Sequence, residues 1–126
     1  MSKQLVLCAD DDEDILSLVA LRLERAGFDV ATAIDGDEAV RIAQERRPAI
    51  AVLDVMMPKR TGYEVLAVLR ADASLAETKV ILLSARVQES DVARGMDAGA
   101  DAYLPKPFKA QDLVAKVQEL LAQGRE

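Results

Sequence analysis

Apolar and polar positions along this chain alternate between two rhythms. Short, nearly unbroken apolar runs recur at Leu5–Ala9, Val30–Ala33, Ile50–Leu53, Val80–Leu83 and Ala102–Leu104. Several are continuously apolar and β-branched, as expected for parallel strands covered on both faces. Between them the spacing becomes helical. Leu16, Val19, Ala20 and Leu23 share one face, as do Ala39, Ile42 and Ala43, then Val65, Leu66 and Leu69, and finally Leu113, Val117, Leu120 and Leu121. Val92, Ala93 and Met96 suggest a weaker helix before the last strand. The punctuation agrees. Asp35 and Thr61 are suited to N-caps, each followed three residues later by a glutamate, Glu38 and Glu64. Gly27 and Gly99 stand just past helical stretches, where a left-handed residue ends a helix. The longest loop is expected at Asp72–Thr78. Repeated strand–helix units with right-handed crossovers predict an α/β fold with an open, doubly wound parallel sheet. A barrel would need eight such units, and this chain has five.

Length and composition narrow the class. With 126 residues, 51% of them hydrophobic, the chain suits one domain over 1–126, with its core at about 3–122 and a tail or linker stub at 123–126. No apolar run approaches the ~20 residues of a membrane span. The net charge of -6, from 16 basic and 22 acidic residues, opposes direct nucleic-acid binding, which needs a basic face. The 3% aromatic content argues against base stacking as well. The first apolar run is too short for a signal peptide, so a cytoplasmic location is expected. The single cysteine, Cys8, lies inside the first strand and reads as a small core residue. Histidine is absent, so a histidine base, ligand or phosphoryl carrier has to come from another molecule.

In open α/β sheets ligands sit outside the carboxyl ends of the strands. Here the first strand runs into Asp10-Asp11-Asp12-Glu13-Asp14, the third into Asp54, the fourth into Ser84 and the fifth into Lys106-Pro107. If the first and third strands are neighbours, three carboxylates converge beside a hydroxyl and an ammonium. Two carboxylates ~4 Å apart repel by about 4 kcal/mol at an effective dielectric of ~20, so either a proton or a cation is wanted among them. Hard oxygen donors with open positions suit Mg²⁺, which keeps waters and then accepts a phosphate oxygen. Asp12 and Asp14 read more simply as capping and helix-dipole complement. Rival motifs fail. An EF-hand begun at Asp10 has Ile15 for its glycine and Leu21 for its bidentate glutamate. The chain has no Gly-rich phosphate loop and no dinucleotide fingerprint.

Taken in order, Leu7-Cys8-Ala9-Asp10-Asp11-Asp12, Leu53-Asp54-Val55-Met56-Met57-Pro58, Leu82-Leu83-Ser84-Ala85, Gly99-Ala100-Asp101-Ala102-Tyr103 and Leu104-Pro105-Lys106-Pro107-Phe108 resemble the receiver domains of two-component response regulators. The resemblance covers about Lys3 to Ala122 and implies a flavodoxin-like (βα)5 fold with strand order 2-1-3-4-5 and helices on both faces. By that resemblance Asp54 is the phosphoryl acceptor. Asp11 and Asp54 give carboxylates to Mg²⁺, Met56 gives its backbone carbonyl, and Asp10 acts mainly through bound water. Ser84 is the switch hydroxyl, Lys106 contacts the phosphoryl group through a site followed by a cis Lys106–Pro107 peptide, and Tyr103 is the aromatic switch. Met56 and Arg86 occupy the positions that tune the lifetime of the phosphoaspartate. Met56 cannot hold an attacking water by a hydrogen bond, so a lifetime of minutes to hours is expected.

The partner implied is a histidine kinase or histidine phosphotransfer protein, which would supply the missing histidine. Output is expected from the fourth helix, fifth strand and fifth helix, toward an unidentified protein or effector domain. On that surface Asp101, Asp112 and Lys116 are compatible with the charges of winged-helix regulators, while Val92 and Ala102 fall where charges are common. Arg46-Arg47 and Lys59-Arg60 read as solvated loop charges. Such a chain is a signalling phosphoacceptor rather than an enzyme. Two alternatives stand beside it. One is a Mg²⁺-dependent phosphatase with an aspartyl nucleophile, for which Asp10 and Asp12 have the spacing but residue 14 is Asp and no cap insertion is present. The other is an interaction module that takes no phosphate.

Overall fold

The computed structural model describes residues 3–85 and 88–123. Five strands, β1 (Leu5–Ala9), β2 (Asp29–Ala33), β3 (Ile50–Asp54), β4 (Lys79–Ser84) and β5 (Ala102–Pro105), alternate with five helices. These are α1 (Glu13–Arg25), α2 (Gly36–Arg46), α3 (Gly62–Ala71), α4 (Glu89–Asp97) and α5 (Ala110–Gln123). All strand pairings are parallel, in the order β2-β1-β3-β4-β5. This is the doubly wound arrangement expected from the alternation of apolar runs and helical stretches. The order reverses at β1, between β2 and β3, so the crevice used by this fold class lies at the carboxyl ends of β1 and β3.

The two-residue period of the strands separates two cores. Leu7, Ala9, Ala51, Leu53, Val80 and Leu82 face α2 and α3, packing on Ala39, Ala43, Val65, Leu66 and Leu69. Val6, Cys8, Ile50, Val52, Ile81 and Leu83 face α1 and α5, against Leu16, Val19, Leu23, Leu113 and Val117. Cys8 is a buried core residue, and burial pushes its thiol up to about 12, which makes it inert. The caps form as the sequence predicts. Asp35 accepts from the Glu38 N–H, and Thr61 and Glu64 form a reciprocal capping box. Gly27 and Gly99 take φ of 101° and 108° just past α1 and α4.

Two expectations need correction. The stretch Asp72–Thr78 is not an open loop: it contains a 3₁₀ turn at Ala73–Leu75, capped by Asp72, with Leu75 buried. In α4, Val92 is only half-buried, and Ala93 and Met96 are exposed. The buried residue of this helix is Gly95, so α4 sits on the body through close backbone approach rather than an apolar stripe. No helix among the described residues is long and apolar enough to cross a membrane.

Candidate functional site

The site is built at the carboxyl edge of the sheet. Because Ala9 pairs with Leu53 in the β1–β3 register, Asp10 and Asp54 leave neighbouring strands side by side. The Asp10 N–H still donates to Ala33 at 3.1 Å, which extends the sheet by one bond and fixes the direction of the carboxylate. Asp12 then caps α1, accepting from the N–H groups of Asp14 and Ile15, while its own N–H donates to Asp10 Oδ1 at 3.0 Å. The capping role assigned to Asp12 from the sequence is therefore met.

Beyond Asp54, the Val55 N–H donates to Leu83 and the Gly62 N–H to Val55, each at 2.9 Å, folding the loop back over the strand end. A Cβ on Gly62 would stand 2.6 Å from the Asp54 carbonyl oxygen, so only glycine lets α3 start this close. The same loop is tied to the start of α2. Arg60 meets Asp37 at 2.8 Å, and Lys59, at a φ of 70°, meets Asp35 at 3.6 Å. The basic pair read as solvated thus has a second task in anchoring the loop, while Arg46 and Arg47 remain exposed.

Carboxylate oxygens of Asp10, Asp11 and Asp54 lie within 4.8 Å of one another, a group able to hold a metal ion. Asp10 and Asp54 are buried and Asp11 is exposed at the rim. From β5, the Lys106 ammonium reaches both buried acids, at 2.9 Å from Asp10 Oδ2 and 3.3 Å from Asp54 Oδ2. Its backbone N–H donates to the Ser84 carbonyl at 2.8 Å, and the Lys106–Pro107 peptide is cis. The Asp10 Oδ2 contact is an ion pair without hydrogen-bond alignment, which leaves that buried oxygen without a hydrogen-bond partner.

One ammonium thus faces two buried carboxylates. Burial, reinforced by the Asp10 charge, pushes the Asp54 carboxyl up to about 6, against the opposing pull of Lys106 and the Met56 N–H. Burial would lower the Lys106 ammonium, but its close pairing with Asp10 and the charges of both acids more than offset that, and its net shift is upward.

Ser84 is buried at the end of β4. Met56 is 73% exposed over the site, and its N–H donates to Asp54 Oδ1 at 3.4 Å. Tyr103 is half-buried in β5, packed against the core beside α4. Arg86 lies outside the described residues. Asp101, directly before β5, is tied to the body of the domain. Its carboxylate accepts from the Val80 N–H at 2.8 Å and pairs with Arg70 at 3.1 Å, at the opposite, N-terminal edge of the sheet.

Asp112 is exposed, and Lys116 pairs with Glu119 within α5. Sequence reasoning missed Tyr63, whose ring packs on the same core and whose hydroxyl reaches α4. The available signal was a tyrosine placed directly after the close-approach glycine that follows the Asp54 loop.

Comparison with known proteins agrees with this geometry. Residues 6–118 match the family model of the response regulator receiver domain. The chain is 47% identical over 116 residues to the transcriptional regulatory protein PrrA of Mycobacterium tuberculosis, covering 92% of this chain and 49% of that protein. It is 40% identical to the alkaline phosphatase synthesis transcriptional regulatory protein PhoP of Bacillus subtilis, covering 92% and 48%. The chain spans about half the length of the curated relatives it matches.

Among solved structures, the receiver domain of Francisella response regulator 1452 superposes with a TM-score of 0.91 at 33% identity, covering 98% of this chain and 100% of that one. The Vibrio cholerae chemotaxis protein CheY4 gives 0.89 at 32%, covering 94% and 99%. With its sheet order, its converging acids and these matches in accord, the chain belongs to the response regulator receiver domains of two-component signalling.

Proposed function

We propose that Asp54 accepts a phosphoryl group from a phosphohistidine on a partner kinase or phosphotransfer protein. The observation that carries this reading is the buried Asp10–Asp54–Lys106 cluster, in which two acids share one ammonium and Asp10 Oδ2 lacks a hydrogen bond. A carboxylate oxygen of Asp54 attacks phosphorus, the new O–P bond forms as the P–N bond breaks, and the partner's imidazole leaves as the neutral base, its other ring nitrogen keeping the proton it carried. Lys106 stands where it can pair with phosphoryl oxygens as charge moves onto them, and the Ser84 hydroxyl is at the neighbouring strand end to donate to one. The phosphoryl oxygens added at Asp54 are new anionic acceptors that draw Ser84 and then Tyr103, and α4, β5 and α5 form the responding surface.

The residues fit a hard divalent cation: the donors are all oxygen, and the buried Asp10 Oδ2 has no hydrogen bond beside its ion pair with Lys106. Asp10, Asp11 and Asp54, with the Met56 carbonyl, would hold Mg²⁺, which when bound screens the approach of two anions. Without it, Lys106 supplies the only positive charge among these described groups. The same reading takes residues 1–126 as one receiver unit in the cytoplasm, a phosphoacceptor rather than an enzyme. It gives the chain no direct nucleic-acid contact, because its net charge is -6. The relatives' regulatory activity belongs to proteins about twice this length.

The phosphatase alternative is not favoured, since residue 14 is Asp in the motif begun at Asp10 and residues 6–118 match the receiver family instead. Transfer from a phosphorylated histidine phosphotransfer protein tests the proposal. Label should pass to this chain as an acyl phosphate cleaved by hydroxylamine and should fail to pass to Asp54→Asn. Label retained by Asp54→Asn would refute the assignment.

A further inference from the structure

Tyr63, in the first turn of α3, and Tyr103, in β5, meet beneath α4 and line one cleft of about 470 Å³ with Ser84, Asp91 and Arg94. The Tyr63 hydroxyl donates to the Asp91 carbonyl in the first turn of α4 at 3.4 Å. One turn on, the Arg94 guanidinium lies 4.3 Å from the centre of the Tyr63 ring, within cation–π range. The phenol of Tyr63 is pushed up by burial and by its hydrogen bond with the Tyr103 side chain.

From the other side, a Cβ on Gly95 would stand 2.8 Å from Tyr103 Cδ2, so the absent side chain is what admits the Tyr103 ring under the helix. Since Gly95 is the buried residue of α4, this helix has little apolar surface to hold it. Tyr63, Tyr103 and Leu82 are side chains it meets on the body.

Resting on the phosphoacceptor reading above, we propose that Tyr63 is a positioning residue for the switch. Its hydroxyl and ring hold Tyr103 turned in beneath α4 and favour the arrangement in which Asp54 is phosphorylated. The contacts described for Tyr63 go to Tyr103 and α4 rather than to Asp54 or Lys106, so Tyr63 acts through population: it raises the fraction of molecules already in the responsive conformation. Losing one net hydrogen bond shifts such an equilibrium by about fivefold.

The experiment uses the full chain with acetyl phosphate and Mg²⁺. Asp54 adduct formation is followed by intact mass for wild type, Tyr63→Phe and Gly95→Ala, beside amide spectra of the unphosphorylated proteins. Tyr63→Phe keeps the ring and the fold. It should form the adduct about fivefold more slowly and displace the amides of Asp91, Gly95 and Tyr103. The chain has two tyrosines and no tryptophan, so the near-ultraviolet tyrosine band left in the circular dichroism of Tyr63→Phe comes from Tyr103 alone, and it should be close to lost as that ring loosens. Gly95→Ala, which crowds Tyr103 from the α4 side, should also slow the reaction.

An unchanged or faster reaction in Tyr63→Phe overturns the proposal, and a lowered Tm with an unchanged rate reduces the contact to a structural one. No adduct in the wild type would instead refute the phosphoacceptor reading, and the amide comparison would then decide by itself whether Tyr63 positions Tyr103.

Discussion

Two clusters of charge occupy opposite edges of the same sheet and are built to opposite standards. At the N-terminal edge Arg70 donates to the carbonyls of Gly99 and Thr78 at 3.0 and 2.8 Å and to Asp101 at 3.1 Å, while Asp101 also accepts from the Val80 N–H. Each charge there has an opposite charge and further hydrogen bonds, so the network locks α3 to the start of β5. At the carboxyl edge Lys106 must serve two buried acids, the Asp54 carboxyl is pushed up to about 6, and one Asp10 oxygen has no hydrogen bond. Similar residue types therefore give structure where their valences are filled and chemistry where they are left short. The shortfall is what a cation and a phosphoryl group would complete.

Breaking each cluster separates the two cases. The largest effect is expected from Lys106→Ala, which should slow Mg²⁺-dependent phosphorylation of Asp54 by roughly 100-fold or more, measured by adduct formation. Arg70→Ala should act on stability instead. It leaves the Asp101 carboxylate short of its cation and should cost about 2–3 kcal/mol in chemical denaturation while the adduct still forms.

Asp54→Asn should stabilise the metal-free fold by about 2 kcal/mol at pH 7.5. The sign follows from a folded-state carboxyl raised above its ordinary 3.8. Below about pH 4 the group is protonated whether folded or unfolded and carries no penalty. As pH rises through about 6 the buried charge must form, and stability is lost. Denaturation midpoints of the two proteins should therefore converge in acid and separate at neutral pH, and Mg²⁺ should raise only the wild type. The smallest effect concerns the rim: Met56→Asn or Met56→Glu should change the phosphoaspartate decay rate severalfold without changing its formation, as read from the loss of the adduct over time. A decay rate unmoved by either substitution would remove Met56 from the tuning role.

Much of this fold is written in local patterns. The apolar runs place all five strands to within a residue at either end, because a strand buried on both faces leaves an unbroken apolar signature. The helices α1, α2, α3 and α5 bury the faces their spacing predicts. The helix α4 was legible in existence but not in packing, since its anchor is Gly95, and a glycine adds nothing to a hydrophobic period.

In the candidate site, Asp10, Asp11, Asp54 and Lys106 were legible because strand ends are where this fold class gathers ligands; the β1–β3 register brings the acids together and the β4–β5 pairing brings in Lys106. The ion pair of Asp101 was not, because its partner Arg70 stands 31 residues away. Tyr63 was hidden for the same reason: its partners Asp91, Arg94 and Tyr103 come from elements that only the tertiary fold brings near.

The most direct test is intact mass spectrometry after incubation with acetyl phosphate, with and without Mg²⁺, beside Asp54→Asn. The account predicts a single phosphoryl adduct that requires Mg²⁺ and is absent from Asp54→Asn. Accumulation of inorganic phosphate without an adduct, abolished by Asp10→Asn, would contradict it and assign the chemistry to the first strand instead.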